Sequence, residues 1–170
     1  VHGDHAGAAK DYLACADKYP YPFGSLWDDA LFHASVEHEA AGDFGAAVAD
    51  LEKMLSVHEA SYGNGSYTRP RMPAAALRIG ELQRDKLGDK DRATKLYEEL
   101  VEAPADDVRA VGALAALYED ASKWRELARL RERKIDVATS TEQRNELRVQ
   151  LARTQAERLS ADASAMDTLR

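Results

Sequence analysis

The run Gly88-Asp89-Lys90-Asp91-Arg92-Ala93-Thr94-Lys95-Leu96-Tyr97, closed by Pro104, decides the fold because its letters return elsewhere in the chain. They stand at Gly3-Asp4, with Ala8, Tyr12 and Pro20 behind them, and at Gly42-Asp43, with Ala47 and Leu51. In each copy an Ala follows the Gly by five positions and a large apolar or aromatic residue follows it by nine. A small and a large residue four apart share one helix face, so each copy opens a helix with one packing stripe. Gly-Asp suits the bend before that helix: glycine accepts the left-handed conformation that ends one helix, and Asp caps the next. Two more copies keep the rhythm with altered letters. Ser122 takes the glycine position ahead of Trp124, Leu127, Leu130 and Ile135, and Ser160 takes it ahead of Ala165 and Leu169. Upstream of each bend lies a second helical pattern: Leu31, Ala34 and His38; Leu77, Ile79, Gly80 and Leu82; Val111, Leu114, Leu117 and Tyr118; Leu147, Leu151, Ala152 and Leu159. The unit is helix–bend–helix, with bends 39, 46, 34 and 38 residues apart.

This pattern resembles the tetratricopeptide repeat, whose signature is a roughly 34-residue helical hairpin with an Ala-x3-aromatic…Pro run in its second helix. The resemblance covers essentially the whole chain and is strongest over Gly3–Pro20, Asp28–Leu55 and Ala74–Pro104. Glu59 and Ala105 depart from it at positions where Pro is expected, and the fourth and fifth units lack Gly-Asp. The first two units, with Tyr-Pro connections and Ala-rich second helices, are similar to those of bacterial envelope members of the family. Those are outer-membrane assembly lipoproteins and coordinators of the Tol system. The resemblance implies an all-α fold, a right-handed α-solenoid of antiparallel helical hairpins forming one array over 1–170. In it, 1–20 is the second helix of a truncated repeat, 26–60 a repeat and 61–73 a long loop. Residues 74–105 and 106–138 are further repeats, and 140–170 an incomplete one. Helices are expected near 5–18, 26–41, 44–59, 74–87, 89–103, 107–120, 123–137, 141–159 and 161–169. A chain opening at Val1 on a second helix without its first reads as an excised piece. Its terminal face would be covered by more repeats or by a partner.

Composition agrees with closely packed helices. Of 170 residues 31 are Ala and only 7% are aromatic, a balance that favours helix crossings over sheet. With 23 Lys+Arg against 30 Asp+Glu the formal net charge is −7, which argues against a nucleic-acid partner. No apolar run is long enough to span a bilayer. The single Cys15 excludes an internal disulfide framework. It falls on the apolar side of a helical pattern and reads as a buried structural thiol. Tyr12-Leu13-Ala14-Cys15 resembles a lipoprotein cleavage site only in its letters, because Gly3, Asp4, His5 and Lys10 leave no apolar segment before it.

Helices approach closely where side chains are small, so Ala8, Ala47, Gly80, Ala93, Ala115 and Ala152 are the expected crossings. Tyr12, Leu51, Tyr97, Trp124 and Leu151 are expected to fill the gaps between layers. Each hairpin would leave a face that only the next one covers. Two insertions interrupt the rhythm. Tyr21-Pro22-Phe23-Gly24-Ser25 is expected to pack over a seam, with Ser25 or Asp28 capping the following helix. The stretch from Ser61 to Pro73 has no helical period. Its Tyr62, Tyr67, Arg69, Arg71 and Met72 form a candidate contact loop, with a flexible spacer as the alternative.

In stacks of this type the first helices of the hairpins line the concave side. That places Asp29, Phe32, Val36 and Glu39 in the groove, then Glu81, Arg84 and Asp85, then Arg109, Glu119 and Asp120, and finally Glu146, Arg153 and Glu157. Acids outnumber bases there, and Phe32 and Val36 are apolar. The groove should take a protein or peptide with Lys or Arg and one apolar anchor, with a merely solvated face as the alternative. Some chaperone-binding family members hold a terminal carboxylate with Lys and Asn, a set this chain lacks.

Catalytic and metal signatures are weak. His33 and Glu37 are four apart but no third ligand converges with them, and His38 is on another side of the helix. His2 and His5 flank the first bend. Asp28-Asp29 and Asp106-Asp107 each open a helix, where carboxylates complement the dipole. Gly63-x-Gly65 follows a helix and lacks the later Lys of a phosphate loop. The basic, amphipathic run Lys123–Lys134 reads as a solvated convex face whose apolar stripe serves the repeat core, with an acidic membrane or a basic-helix receptor as the alternative. No cofactor is called for. The expectation is a non-catalytic scaffold or adaptor. The alternatives are a regulatory or substrate-recruiting module of a larger enzyme, or self-association through open repeat ends. Periplasm and cytoplasm both stay open.

Overall fold

The computed structural model describes residues 3–21, 24, 26–56, 72–102 and 108–169. Among them are nine helices and no strand. They are α1 (His5–Lys18), α2 (Trp27–Ala40), α3 (Phe44–Leu55), α4 (Met72–Asp85), α5 (Lys90–Glu102), α6 (Val108–Asp120), α7 (Trp124–Val137), α8 (Thr141–Leu159) and α9 (Asp162–Thr168). The fold is all-α. Helix α4 starts two residues earlier than its periodicity implies. Pro73 is its second residue, where a missing backbone donor is harmless.

The bends share a backbone solution. Gly42 and Gly88 have φ of 81° and 73°, and Ser122 and Ser160, in the equivalent positions, have 55° and 52°. The residue after each bend then donates back into the preceding helix: Asp43 to the His38 carbonyl at 2.9 Å, Asp89 to Gln83 at 2.8 Å, Lys123 to Tyr118 at 2.8 Å and Ala161 to Gln155 at 2.8 Å. These bonds satisfy carbonyls that the helix ends would leave orphaned. The aspartates of the Gly-Asp pairs cap the next helix in each case. Asp4 Oδ1 accepts from the Gly7 amide at 2.8 Å, Asp43 Oδ1 from Ala46 at 3.0 Å and Asp89 Oδ1 from Arg92 at 3.0 Å. Ser140 caps α8 in the same way, its Oγ accepting from Gln143 at 3.1 Å.

Helix α2 departs from the expected cap. Its N-cap is Leu26, which offers no side-chain acceptor, and Asp28 lies inside the first turn, buried. Ser25 lies outside the described residues, as do Asp106 and Asp107.

The chain divides into two compact units, residues 1–110 and 111–170, with the boundary inside α6. In the first, α1 packs on α2, α2 on α3, α3 on α4 and α4 on α5. Their core gathers Ala16, Trp27, Ala30, Leu31, Ala47, Val48, Leu51, Met54, Ala75, Ile79 and Leu82. Tyr21 from the first insertion lies against this core, its ring 5.7 Å from that of Trp27. In the second unit α7 packs on α8 and α8 on α9, burying Leu127, Leu130, Leu151, Ala152 and Ala165.

The small-residue reading is sharpest between α4 and α5. A Cβ added to Gly80 would sit 2.5 Å from the Tyr97 ring, so the fully buried Tyr97 lies directly on the glycine backbone. Ala47, Ala93, Leu51 and Leu151 are likewise buried. Tyr12 is not: 38% exposed, it stacks on the exposed His33 with ring centroids 5.3 Å apart. It therefore covers the outside of the α1–α2 seam instead of filling a gap between layers. Trp124 is only half-buried.

Candidate interaction surfaces

In the first unit two of the expected groove-lining residues, Glu39 on α2 and Glu81 on α4, meet at one arginine, Arg78, that the repeat register does not single out. Arg78 donates through Nε to Glu39 at 2.9 Å and through a second nitrogen to the other oxygen of the same carboxylate. Its third nitrogen donates to Glu81 at 2.7 Å. The planar guanidinium fork makes such two-sided pairing possible. Pairing with Glu39 first, and with Glu81 as well, raises the Arg78 pKa above its ordinary value. The Arg78–Glu81 spacing of three is a usable signal, since such pairs face each other on a helix. The Glu39 contact joins two helices, and no local spacing encodes it. One turn on, Arg84 holds Asp85 through two bonds of 2.5 and 2.7 Å, and that hydrogen bonding lowers the Asp85 pKa. Beside this network Val36 is 45% exposed. Asp29 and Phe32 are half-buried, Phe32 packing against the core. Arg109 is exposed on α6.

The His33–Glu37–His38 cluster is taken apart. Glu37 lies 2.7 Å from His5 Nδ1 on α1, and His38 Nδ1 lies 2.7 Å from Asp50 on α3. Consecutive residues of α2 thus tie it to the helix on either side. Burial pushes the Asp50 carboxyl up, against the opposing hydrogen bond from His38. Among the described residues no three His, Cys, Asp or Glu side chains converge as a metal would require. Cys15 is a free thiol, half-buried against the core, rather than fully buried.

In the second unit Glu119, Arg153 and Glu157 line one cleft of about 230 Å³ together with Trp124, Arg131, Gln150, Thr154 and Arg158. Arg131 organises it. Its side chain is only 12% exposed. It donates to Glu119 of α6 at 2.7 Å, to the Gln150 carbonyl of α8 at 3.2 Å and to Thr154 Oγ1. Within the run 123–134 Lys123, Arg125, Arg129 and Arg133 are exposed, as a solvated face requires, whereas Arg131 is half-buried and Lys134 is buried. An arginine that finds three oxygens can leave water, and a basic run in sequence carries no mark of where those oxygens lie. Arg158 sits over the Trp124 ring at 4.9 Å. Glu146 is exposed and accepts from the Gln150 amide at 3.4 Å, and Asp120 is exposed. Tyr62, Tyr67, Arg69 and Arg71 lie outside the described residues, and Met72 is described only as the first residue of α4.

No described helix is long and apolar enough to cross a membrane. No family model matches the chain, and no curated protein matches it.

Proposed function

We propose that the chain is a non-catalytic interaction module, built of hairpins of the tetratricopeptide kind that stack in a right-handed sense, and that its first helices bind a peptide or protein segment. The single observation that carries this reading is the face formed by α2 and α4. There Val36 is uncovered beside carboxylates held in fixed positions by Arg78. Pre-positioned charges select a partner without an ordering cost at the moment of binding. With 20 acidic against 12 basic residues in 1–110, this face favours a segment carrying Lys or Arg and one apolar anchor.

The test is a selection of randomised, surface-displayed peptides on the intact chain, followed by affinity measurements on the enriched sequences. Basic peptides with an apolar residue are expected, and Val36→Lys should weaken them without changing the melting temperature. Absence of enrichment, or binding indifferent to Val36→Lys, would remove the proposal.

A further inference from the structure

The cleft of the second unit has the opposite electrostatic preference. It is lined by three arginines and two glutamates, and the carboxylates do not answer all the cations. Glu119 is engaged by Arg131 at 2.7 Å. Glu157 reaches Arg153 only at 4.0 Å, with the Arg153 side chain 72% exposed. Arg158 has the Trp124 ring as its contact and no carboxylate partner among the described residues. Two guanidinium groups therefore border the cleft with donors to spare, and the half-buried Trp124 indole lies beneath one of them. The surrounding sequence agrees: residues 111–170 carry 11 bases against 10 acids, where residues 1–110 carry 12 against 20.

Size narrows the occupant. A volume of about 230 Å³ is below the roughly 300–1,000 Å³ of small-molecule and cofactor pockets. It has room for one or two side chains of a peptide. Charge narrows it again. A phosphate group brings close to two negative charges, which Glu119 and Glu157 oppose, whereas a single carboxylate can pair with a guanidinium in planar, two-bond fashion. The indole offers a flat apolar surface to whatever residue adjoins that carboxylate.

We infer that this cleft is a docking site for an acidic peptide segment, in which an Asp or Glu side chain is held by Arg153 and Arg158 and a neighbouring apolar or aromatic side chain rests on Trp124. Arg131 has a positioning role, fixing Glu119 and the α7–α8 spacing that shapes the cleft. The inference rests on the reading of the chain as a peptide-binding module, but it concerns another surface and a partner of opposite charge.

The same randomised peptide selection tests it, run in parallel on the wild-type chain and on an Arg153→Gln, Arg158→Gln double variant. Acidic peptides with an adjacent apolar residue should appear with the wild type. Synthesised with amidated ends, they should lose about tenfold or more in affinity for the variant, as expected when charge-assisted contacts are removed. They should also shift the emission of Trp124, read in a Trp27→Phe background. Three results would overturn the inference: acidic peptides that bind the double variant equally, acidic peptides that need a free C-terminus, or displacement by inorganic phosphate at equal concentration. Enrichment of basic, Val36-dependent peptides alone would sink this inference and leave the first proposal standing, while no enrichment at all would sink both.

Discussion

Ser122 and Ser160 adopt a left-handed backbone that L-residues other than glycine enter at a penalty of about 1–2 kcal/mol. Ser122→Gly should therefore stabilise the chain by about 0.5–1 kcal/mol, after allowing for the greater freedom of glycine in the unfolded chain. Gly88→Ala should destabilise it by about 1 kcal/mol. Urea midpoints at unchanged slope are the measurement. Tyr97 gives a second residue-level expectation. Its buried hydroxyl has no hydrogen-bond partner among the described residues, and burial pushes its pKa up to about 12 from an ordinary 10. The neutral phenol therefore contributes its full stability below pH 10 and loses it as pH rises toward 12, because the unfolded chain ionises first. Tyr97→Phe should be at least as stable as wild type at pH 7 and should flatten the decline across that alkaline window, as urea melts at a series of pH values would show. Gly80→Ala should lose roughly 1–3 kcal/mol by overpacking against the ring, a loss that Tyr97→Leu should relieve.

Helices are legible in the sequence because their signals are local. An Ala and a large residue four apart, a Gly-Asp before them and a polar residue as cap all lie within a dozen positions, and the cap is found in place at α1, α3 and α5. The start of α2 misleads because Asp28 has the chemistry of a cap but lies inside the first turn. Contacts between helices carry no such local signal. Arg78 reaches Glu39 across 39 positions and Arg131 reaches Thr154 across 23. Of the expected groove residues, Glu119, Arg153 and Glu157 line one cleft, yet the arginine that holds Glu119 there stands in a basic run whose letters suggest solvent. Ala47→Leu and Ala93→Leu test the packing register at this scale. Both alanines are fully buried, so each larger side chain should destabilise by roughly 1–3 kcal/mol. Unchanged melting curves for both would count against the shared register of α3 and α5.

Across the whole chain, the two compact units differ in charge and each contains one of the two tryptophans, Trp27 in residues 1–110 and Trp124 in 111–170. Chains made of locally contacting hairpins can lose structure in stages instead of all at once. Trp27→Phe and Trp124→Phe variants should thus report different midpoints when denatured and monitored by fluorescence. Coincident curves would mean that the units unfold together.

The bends also make a demand that concerns chirality alone. Nothing lies within 4 Å of the place where a Cβ would project from Gly42 or Gly88, so glycine is required there by dihedral angle and not by room. A mirror-image residue is at ease in the conformation that ordinary alanine avoids. Chemical synthesis with D-alanine at both positions would keep the turns while removing much of the freedom glycine has in the denatured chain. L-alanine, identical in every atom but its hand, would restrict the denatured chain as much but would strain both turns.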